Sequence, residues 1–281
     1  MSTDARDEPA DRAARLTSAF QRGRPALVTY LMAGYPDRAT SLESMRSAAR
    51  AGADVIEIGV PYSDPLADGP VIAEAATVAR AHEGGFGLLH ALQVAHAFTR
   101  DPGVDEAIPV VVMTYLNPLM RLGLSAAAQR IREAGAAGVI VPDVPPEAAG
   151  PWRAVAQGLA TVLLAAPTST EQRLRLIAGE SEGFIYCVSS LGTTGERDEL
   201  SEGLGSLVDR MRRHTTLPVA VGFGVSTPEQ AAKVAAIADG VIVGSAIVKR
   251  QQEPREVETF VRQLADAVHA VGPPAAGPQS T

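Results

Sequence analysis

Cysteine is almost absent from this 281-residue chain: Cys187 is the only one. Intrachain disulfides are therefore impossible, and a reducing compartment is expected. Lysine is nearly as scarce. Lys233 and Lys249 are the only two, and both fall in stretches that read as helix, which argues against a Schiff-base aldolase or another lysine-dependent mechanism. The five histidines (His82, His90, His96, His214 and His269) lie away from the ends of the expected strands, which argues against a histidine metal site or a histidine electrophile. There is no basic excess. The net charge is −7 and the arginines form no long run, so non-specific binding to nucleic acid or to an anionic membrane is not expected. No apolar run approaches the roughly 18–20 residues that span a bilayer. The acidic start, Met1–Pro9, has no apolar core of the kind a secretory signal needs. The expectation is a soluble, cytoplasmic protein.

What is present is ordinary globular composition, 46% hydrophobic and 20% charged, in a chain long enough for one large domain or two smaller ones. Residues 1–10 and the Gly/Pro-rich 272–281 are expected to be a disordered start and a flexible tail. Between them, short apolar runs alternate with helical patterns. A leading helix is predicted over Asp11–Gln21, then strands over Ala26–Ala33, Ala53–Gly59, Ile108–Thr114, Gly138–Val141, Thr161–Ala165, Gly183–Val188, Pro218–Val221 and Gly240–Val243. The intervening helices are predicted over Thr40–Ala51, Pro70–His82, Phe86–Thr99, Ser125–Ala134, Pro146–Leu159, Thr170–Gly179 and Leu204–His214. Another opens at Thr227-Pro-Glu-Gln230, an N-cap with proline at the first position, and the last covers Pro254–Val271.

One junction recurs. Ala51-Gly-Ala-Asp-Val-Ile-Glu-Ile-Gly, Ala134-Gly-Ala-Ala-Gly-Val-Ile-Val-Pro and Ile237-Ala-Asp-Gly-Val-Ile-Val-Gly each stop a helix on a small residue and start a β-branched strand. Strands apolar on both faces and alternating with helices imply a parallel sheet covered by helices. Eight of them in about 250 residues point to an α/β (β/α)₈ TIM barrel, residues 11–271, with an extra N-terminal helix. No Gly-x-Gly-x-x-Gly follows the first strand, which weakens the dinucleotide-binding alternative.

The stretch Asp54-Val-Ile-Glu-Ile-Gly-Val-Pro-Tyr-Ser-Asp-Pro-Leu-Ala-Asp-Gly-Pro70 breaks the pattern. Glu57 sits inside an apolar strand, where a carboxylate is costly unless paired, protonated or used. Alternation puts Val55, Glu57 and Gly59 on one face and Ile56 and Ile58 on the helix-facing other, so Glu57 points into the barrel near its catalytic end. Desolvation there favours the protonated form that a general acid needs. A structural carboxylate paired with a buried arginine is the plain alternative, but none of the expected strands contains arginine or lysine. Asp64 and Asp68 follow on a proline-rich loop. Both suit turns, and the position beside Glu57 on the active face leaves Asp68, the later one, open between a turn former and a second functional carboxylate.

A second group comes late. Val221-Gly-Phe-Gly-Val follows the seventh strand, and Val243-Gly-Ser-Ala-Ile follows the eighth and opens a short helix. Loops at these two places form the phosphate site of many barrels, where glycines admit the anion to backbone N–H groups and a helix end adds its dipole. Ser245 adds a hydroxyl donor. The long polar loop Ser189–Gly205 reads as a mobile lid over the same end.

These motifs together closely resemble the tryptophan synthase α chain family. The resemblance runs through Ala33-Gly-Tyr-Pro36, the Glu57–Pro70 signature, Tyr115-Leu-Asn-Pro118, Val141-Pro-Asp-Val-Pro145, Thr193-Thr-Gly195, Gly222-Phe-Gly224 and Gly244-Ser245, and covers Leu16 to Val271. It implies cleavage of indole-3-glycerol phosphate to indole and glyceraldehyde 3-phosphate. By that resemblance Glu57 is the acid/base at the indole carbon, and Asp68 the carboxylate near the indole nitrogen. Tyr30, Tyr115 and Tyr186 resemble pocket residues, Thr194 a lid residue that engages Asp68, and Gly195, Gly224, Gly244 and Ser245 a phosphate cradle. No cofactor is implied for this chain. The implied partner is a pyridoxal-phosphate β chain in an α₂β₂ complex, with Pro61 and Asp64 at contact positions. Ser190 stands where many members have arginine, Thr193 where valine is usual and Ala73 where glutamine is common. A stand-alone lyase that releases free indole, and a non-catalytic scaffold of the same fold, are the alternatives; the retained Glu57 and Asp68 argue against the scaffold.

Overall fold

Alternating inward and outward apolar residues shape the sheet. The structure, a computed structural model, describes residues 9–65, 68–82, 85–188, 202–222 and 224–273. Its strands are β1 (Ala26–Met32), β2 (Val55–Gly59), β3 (Val110–Met113), β4 (Gly138–Ile140), β5 (Ala160–Val162), β6 (Leu164–Ala165), β7 (Ile185–Val188), β8 (Val219–Gly222) and β9 (Gly240–Val243). All pair in parallel, in the order β5-β4-β3-β2-β1-β9-β8-β7-β6. β5 and β6 are halves of the predicted fifth strand, interrupted at Leu163. β5 pairs with β4 and β6 with β7, so this one stretch stands at both ends of the order and closes an eight-staved barrel. The Leu163 carbonyl still accepts from Tyr186 N–H at 3.2 Å, which keeps the ladder continuous across the break.

Val28, Val55, Val111, Ile140, Val162, Ala220 and Ile242 fill the barrel interior in one buried cluster. Leu27, Ile56, Ile58, Val112, Val139, Ile185, Val221 and Val241 face outward and pack on the helices in another. Helix α1 (Pro9–Ser18), which opens two residues before the expected Asp11, plugs the lower end with Leu16, and Phe20 follows it inside. Space for these side chains comes from glycine: a Cβ on Gly183 would lie 2.7 Å from Leu16, and one on Gly240 2.6 Å from Phe20.

The outer helices are α2 (Arg38–Arg50), α3 (Pro70–Ala81), α4 (Leu88–Thr99), α5 (Leu116–Leu122), α6 (Leu124–Glu133), α7 (Gly150–Val155), α8 (Glu171–Glu180), α9 (Glu202–Arg212), α10 (Pro228–Ala235), α11 (Ser245–Val248) and α12 (Pro254–His269). Gly52 (φ 106°) and Gly135 (φ 81°) turn left-handed after α2 and α6, as the recurring junction implies. The third junction differs: α10 ends on Ala236 in ordinary helical geometry. Thr227 caps α10 by accepting from Gln230 N–H.

Two helices depart from expectation. α5 was not anticipated; the remote Asp143 carboxylate accepts its Leu116 N–H at 3.0 Å, a cap supplied from elsewhere in the chain. The predicted Pro146–Leu159 helix is instead a 3-10 turn (Pro146–Ala148) followed by α7, which restarts at Gly150-Pro151. The expected lid, 189–205, lies mostly outside the described residues, with only its last residues in α9. Most of the expected terminal disorder, residues 1–8 and 274–281, lies outside them too.

At the lower end, buried Asp54 opens β2 and gathers its neighbours. It accepts Leu27 N–H at 2.9 Å, two Arg24 N–H groups at 2.9 Å each, and a contact from His269 of α12 at 2.8 Å. Burial pushes this carboxyl up, but the His269, Arg24 and Leu27 hydrogen bonds outweigh it and hold it below its ordinary value.

Candidate active site

Glu57 is the middle residue of β2, paired in register with Tyr30 of β1 and Val111 of β3. It is 1% exposed, and neither carboxylate oxygen has a hydrogen-bond partner among the described residues. Burial, with the Asp68 charge as a second cause, pushes its carboxyl up to about 8. The arginine-paired structural role is not what the geometry shows.

Asp68, just before α3, is raised to about 6 by burial, while a hydrogen bond from the Tyr115 hydroxyl acts in the lowering direction. Asp68 therefore ionises first, and its charge then opposes loss of the Glu57 proton. Near pH 7 the pair holds one proton, on Glu57, and one negative charge, on Asp68. Two carboxyls pushed to opposite sides of neutrality can divide acid and charge-stabilising work between them.

The tyrosines complete this group. Tyr30 and Tyr186 are buried, and burial plus the two carboxylates pushes both phenols well above their ordinary value, so they stay neutral donors. Tyr115 lies under Tyr62, with ring centroids 4.9 Å apart, and Asn117 Nδ2 donates to the Tyr62 hydroxyl at 3.0 Å.

β9 neighbours β1 and β8 neighbours β9, and both end on the same side of the barrel as β2. Gly224, after β8, has φ +84°, a conformation that favours glycine. Gly244 precedes α11, and exposed Ser245 begins it; the Gly244 carbonyl takes the Ile247 and Val248 N–H groups, which leaves those of Ser245 and Ala246 with no acceptor inside the helix. Thr194 and Gly195, like Ser190 and Thr193, lie outside the described residues; Ala73 lies in α3.

A family model described as "Tryptophan synthase alpha chain" matches residues 16–272. The chain belongs to the tryptophan synthase alpha chain family. Two curated relatives carry that name: one from Synechocystis is 48% identical over 257 residues, covering 88% of this chain and 95% of its own. The other, from Geobacillus kaustophilus, is 44% identical over 259 residues, covering 89% and 94%. Among solved structures, tryptophan synthase from Mycobacterium tuberculosis superposes with a TM-score of 0.83 at 38% identity, covering 93% of this chain and 99% of that one. Tryptophan synthase subunit alpha from Legionella pneumophila superposes with a TM-score of 0.81 at 32% identity, covering 92% and 99%.

In this alpha chain a groove of about 430 Å³ opens beside the carboxylate loop, lined among others by Pro61, Tyr62, Phe86, Leu89, Asn117 and Arg121. Leu89 of α4, on its wall, is 48% exposed, and Met120 of α5 is 61% exposed. Asp64 is exposed nearby in the chain. The groove wall is thus two contacts from catalytic-end chemistry: Tyr62 stacks on Tyr115, and Tyr115 bonds Asp68.

Several site-shaping residues escape a reading of the sequence alone. Gly59 and Gly222 look like strand-end glycines, yet a Cβ on either would collide with the hydroxyl of Tyr30 or Tyr186 respectively. Tyr62 carries no signal of its ring contact. Only Phe86 announces itself, as a large apolar residue before α4; it packs where a Cβ on Gly34 would lie 2.8 Å from its ring.

Proposed function

We propose that Glu57 and Asp68 perform the alpha-chain reaction, cleavage of indole-3-glycerol phosphate to indole and glyceraldehyde 3-phosphate. The observation that carries this reading is the split between the two carboxyls, Glu57 near 8 and Asp68 near 6. Glu57 donates its proton to the indole ring carbon that bears the glycerol chain, leaving positive charge on the ring nitrogen. The Asp68 carboxylate stabilises that charge in a dry site where it is weakly screened. The carbon–carbon bond then breaks, its electrons restore the aromatic ring, and the adjacent hydroxyl becomes the aldehyde as its proton passes to the Glu57 carboxylate. Protons balance, and Glu57 ends as it began. Tyr30, Tyr115 and Tyr186 wall the indole and glycerol, and Gly224, Gly244 and Ser245, with Gly195, hold the phosphate; Thr194 closes over Asp68. The chemistry runs on side chains of this chain, and pyridoxal phosphate belongs to a partner.

That partner is a tryptophan synthase β chain in an α₂β₂ complex. The exposed Leu89 and Met120 beside the groove, and Pro61 on its wall, support docking on this face. The reading includes a cytoplasmic biosynthetic role; no helix among the described residues is long and apolar enough to cross a membrane. Indole release from indole-3-glycerol phosphate, measured with and without a β chain, tests the reading. Weak activity strongly raised by the partner supports a subunit, brisk activity alone indicates a stand-alone lyase, and none in either condition removes the enzyme reading.

A further inference from the structure

β9 stops early. Its last residue, Val243, pairs with Thr29, and the chain then turns through Gly244 into α11, leaving the end of β1 without a strand on that side. A side chain fills the gap. Gln251 is wholly buried, and its Oε1 accepts Met32 N–H at 2.9 Å. Its Nε2 donates to the Met32 carbonyl at 2.6 Å and to the Tyr35 carbonyl at 2.8 Å. The primary amide thus offers β1 the donor and acceptor that a neighbouring strand would have offered.

The same residue is tied to the short helix. Gln251 N–H donates to the Val248 carbonyl at 3.1 Å, and the Gln251 carbonyl accepts from Ser44 Oγ of α2 at 2.9 Å. Gln252 Nε2 adds a bond to the Tyr35 hydroxyl at 2.6 Å. α11 has four residues, too few to hold its own direction, so its place depends on what its ends grip. Tyr30 lies two residues before Met32, and a Cβ on Gly244 would sit 3.5 Å from the Tyr30 Cβ, in ordinary contact.

We propose that Gln251 is a positioning residue whose side-chain amide, replacing the missing end of β9, holds the Gly244–Ser245 turn in register with β1 and thereby sets affinity for the phosphate end of the substrate. This rests on the phosphate reading of Gly244 and Ser245 given above. An apolar side chain of similar length leaves the Met32 N–H buried without a partner, leaves the Met32 carbonyl with only the Tyr35 N–H at 3.4 Å, and frees α11 to shift.

The test compares wild type, Gln251→Met and Gln251→Asn by calorimetric binding of inorganic phosphate and of indole, and by steady-state cleavage of indole-3-glycerol phosphate. For Gln251→Met the phosphate Kd and the KM rise about tenfold, the equivalent of roughly one net hydrogen bond, while kcat and the indole Kd change less than about twofold. Gln251→Asn, which keeps the amide one methylene short, shows the same split at smaller size and carries the test if Gln251→Met does not fold. Equal weakening of phosphate and indole binding means general loosening and overturns the proposal. So does unchanged phosphate binding in both variants. Failure of the wild type to bind phosphate instead overturns the phosphate reading on which it rests.

Discussion

Tyr30 and Gly59 share one volume at the mouth of the barrel: a Cβ at position 59 would overlap the phenol of Tyr30. The arrangement is used twice. Tyr186 lies over Gly222 in the same way, and in both pairs the tyrosine sits two residues before the register partner of the glycine, Met32 for Gly59 and Val188 for Gly222. Each inward tyrosine leans across the bare tip of the next strand, beside Glu57 and Asp68.

Gly59→Ala displaces the Tyr30 ring and lowers stability by about 1–3 kcal/mol, the usual cost of overpacking a filled site. Urea unfolding measures it. In a Tyr30→Ala background the same change costs clearly less, because the colliding ring is gone; additive effects of the two changes would show that the residues do not compete for space.

Glu57→Gln keeps the shape of the side chain and removes its proton, so turnover falls by about 10²–10⁴-fold while substrate still binds. A variant that keeps most of its kcat excludes Glu57 as the acid. Stability moves the other way. The folded carboxyl is raised from 4.5 to about 8, so between those values the native state holds a proton that the unfolded chain releases. Wild type therefore loses stability as pH rises from about 4.5 to about 8, whereas the glutamine variant does not. At pH 8 Glu57→Gln is the more stable protein, by an amount on the order of 4 kcal/mol, and at pH 4 the gain vanishes. Denaturant unfolding at the two pH values decides it.

The dependence of kcat/KM on pH is bell-shaped. Activity requires Asp68 ionised and Glu57 protonated, so the limbs fall near 6 and near 8 and belong to the coupled pair. Tyr115→Phe removes the hydrogen bond that favours the Asp68 carboxylate, and the acid limb moves to higher pH. An unmoved acid limb assigns it to another group.

Asp54→Asn weakens the barrel floor and leaves the site intact. The change uncouples Arg24 and His269, both partly solvated, from a carboxylate that is 1% exposed, at a cost of about 2–4 kcal/mol. Because the folded carboxyl lies below its ordinary value of 3.8, its stabilisation is complete above that value and fades as pH falls through the lowered one. Acid unfolding of the variant, followed by circular dichroism, lacks that component, and its kcat at neutral pH stays near wild type.

Much of the barrel was legible because strands buried on both faces are written as β-branched runs, and Gly52 and Gly135 punctuate the helices before them. Glu57 was legible for the converse reason, a charge where the pattern demands an apolar residue. α5 was not, since its cap is Asp143, supplied across the fold. The division of the fifth strand at Leu163 was hidden too, because the residues on either side read as one continuous apolar run. Gln251 was invisible for a related reason: a glutamine near a helix end looks solvated until β9 is seen to stop short of Met32.

By itself, then, the order of residues determined the strand phase, the family and which carboxylate had to enter the barrel, since these follow from local periodicity and contiguous motifs. Only the closed barrel decided how those groups behave. Closure removes water from Glu57, brings Asp68 close enough for its charge to hold the Glu57 proton, and lays two tyrosines over the glycines of neighbouring strands. Desolvation and Coulomb coupling depend on distances between residues far apart in the chain, and those exist only once the sheet has met its own edge.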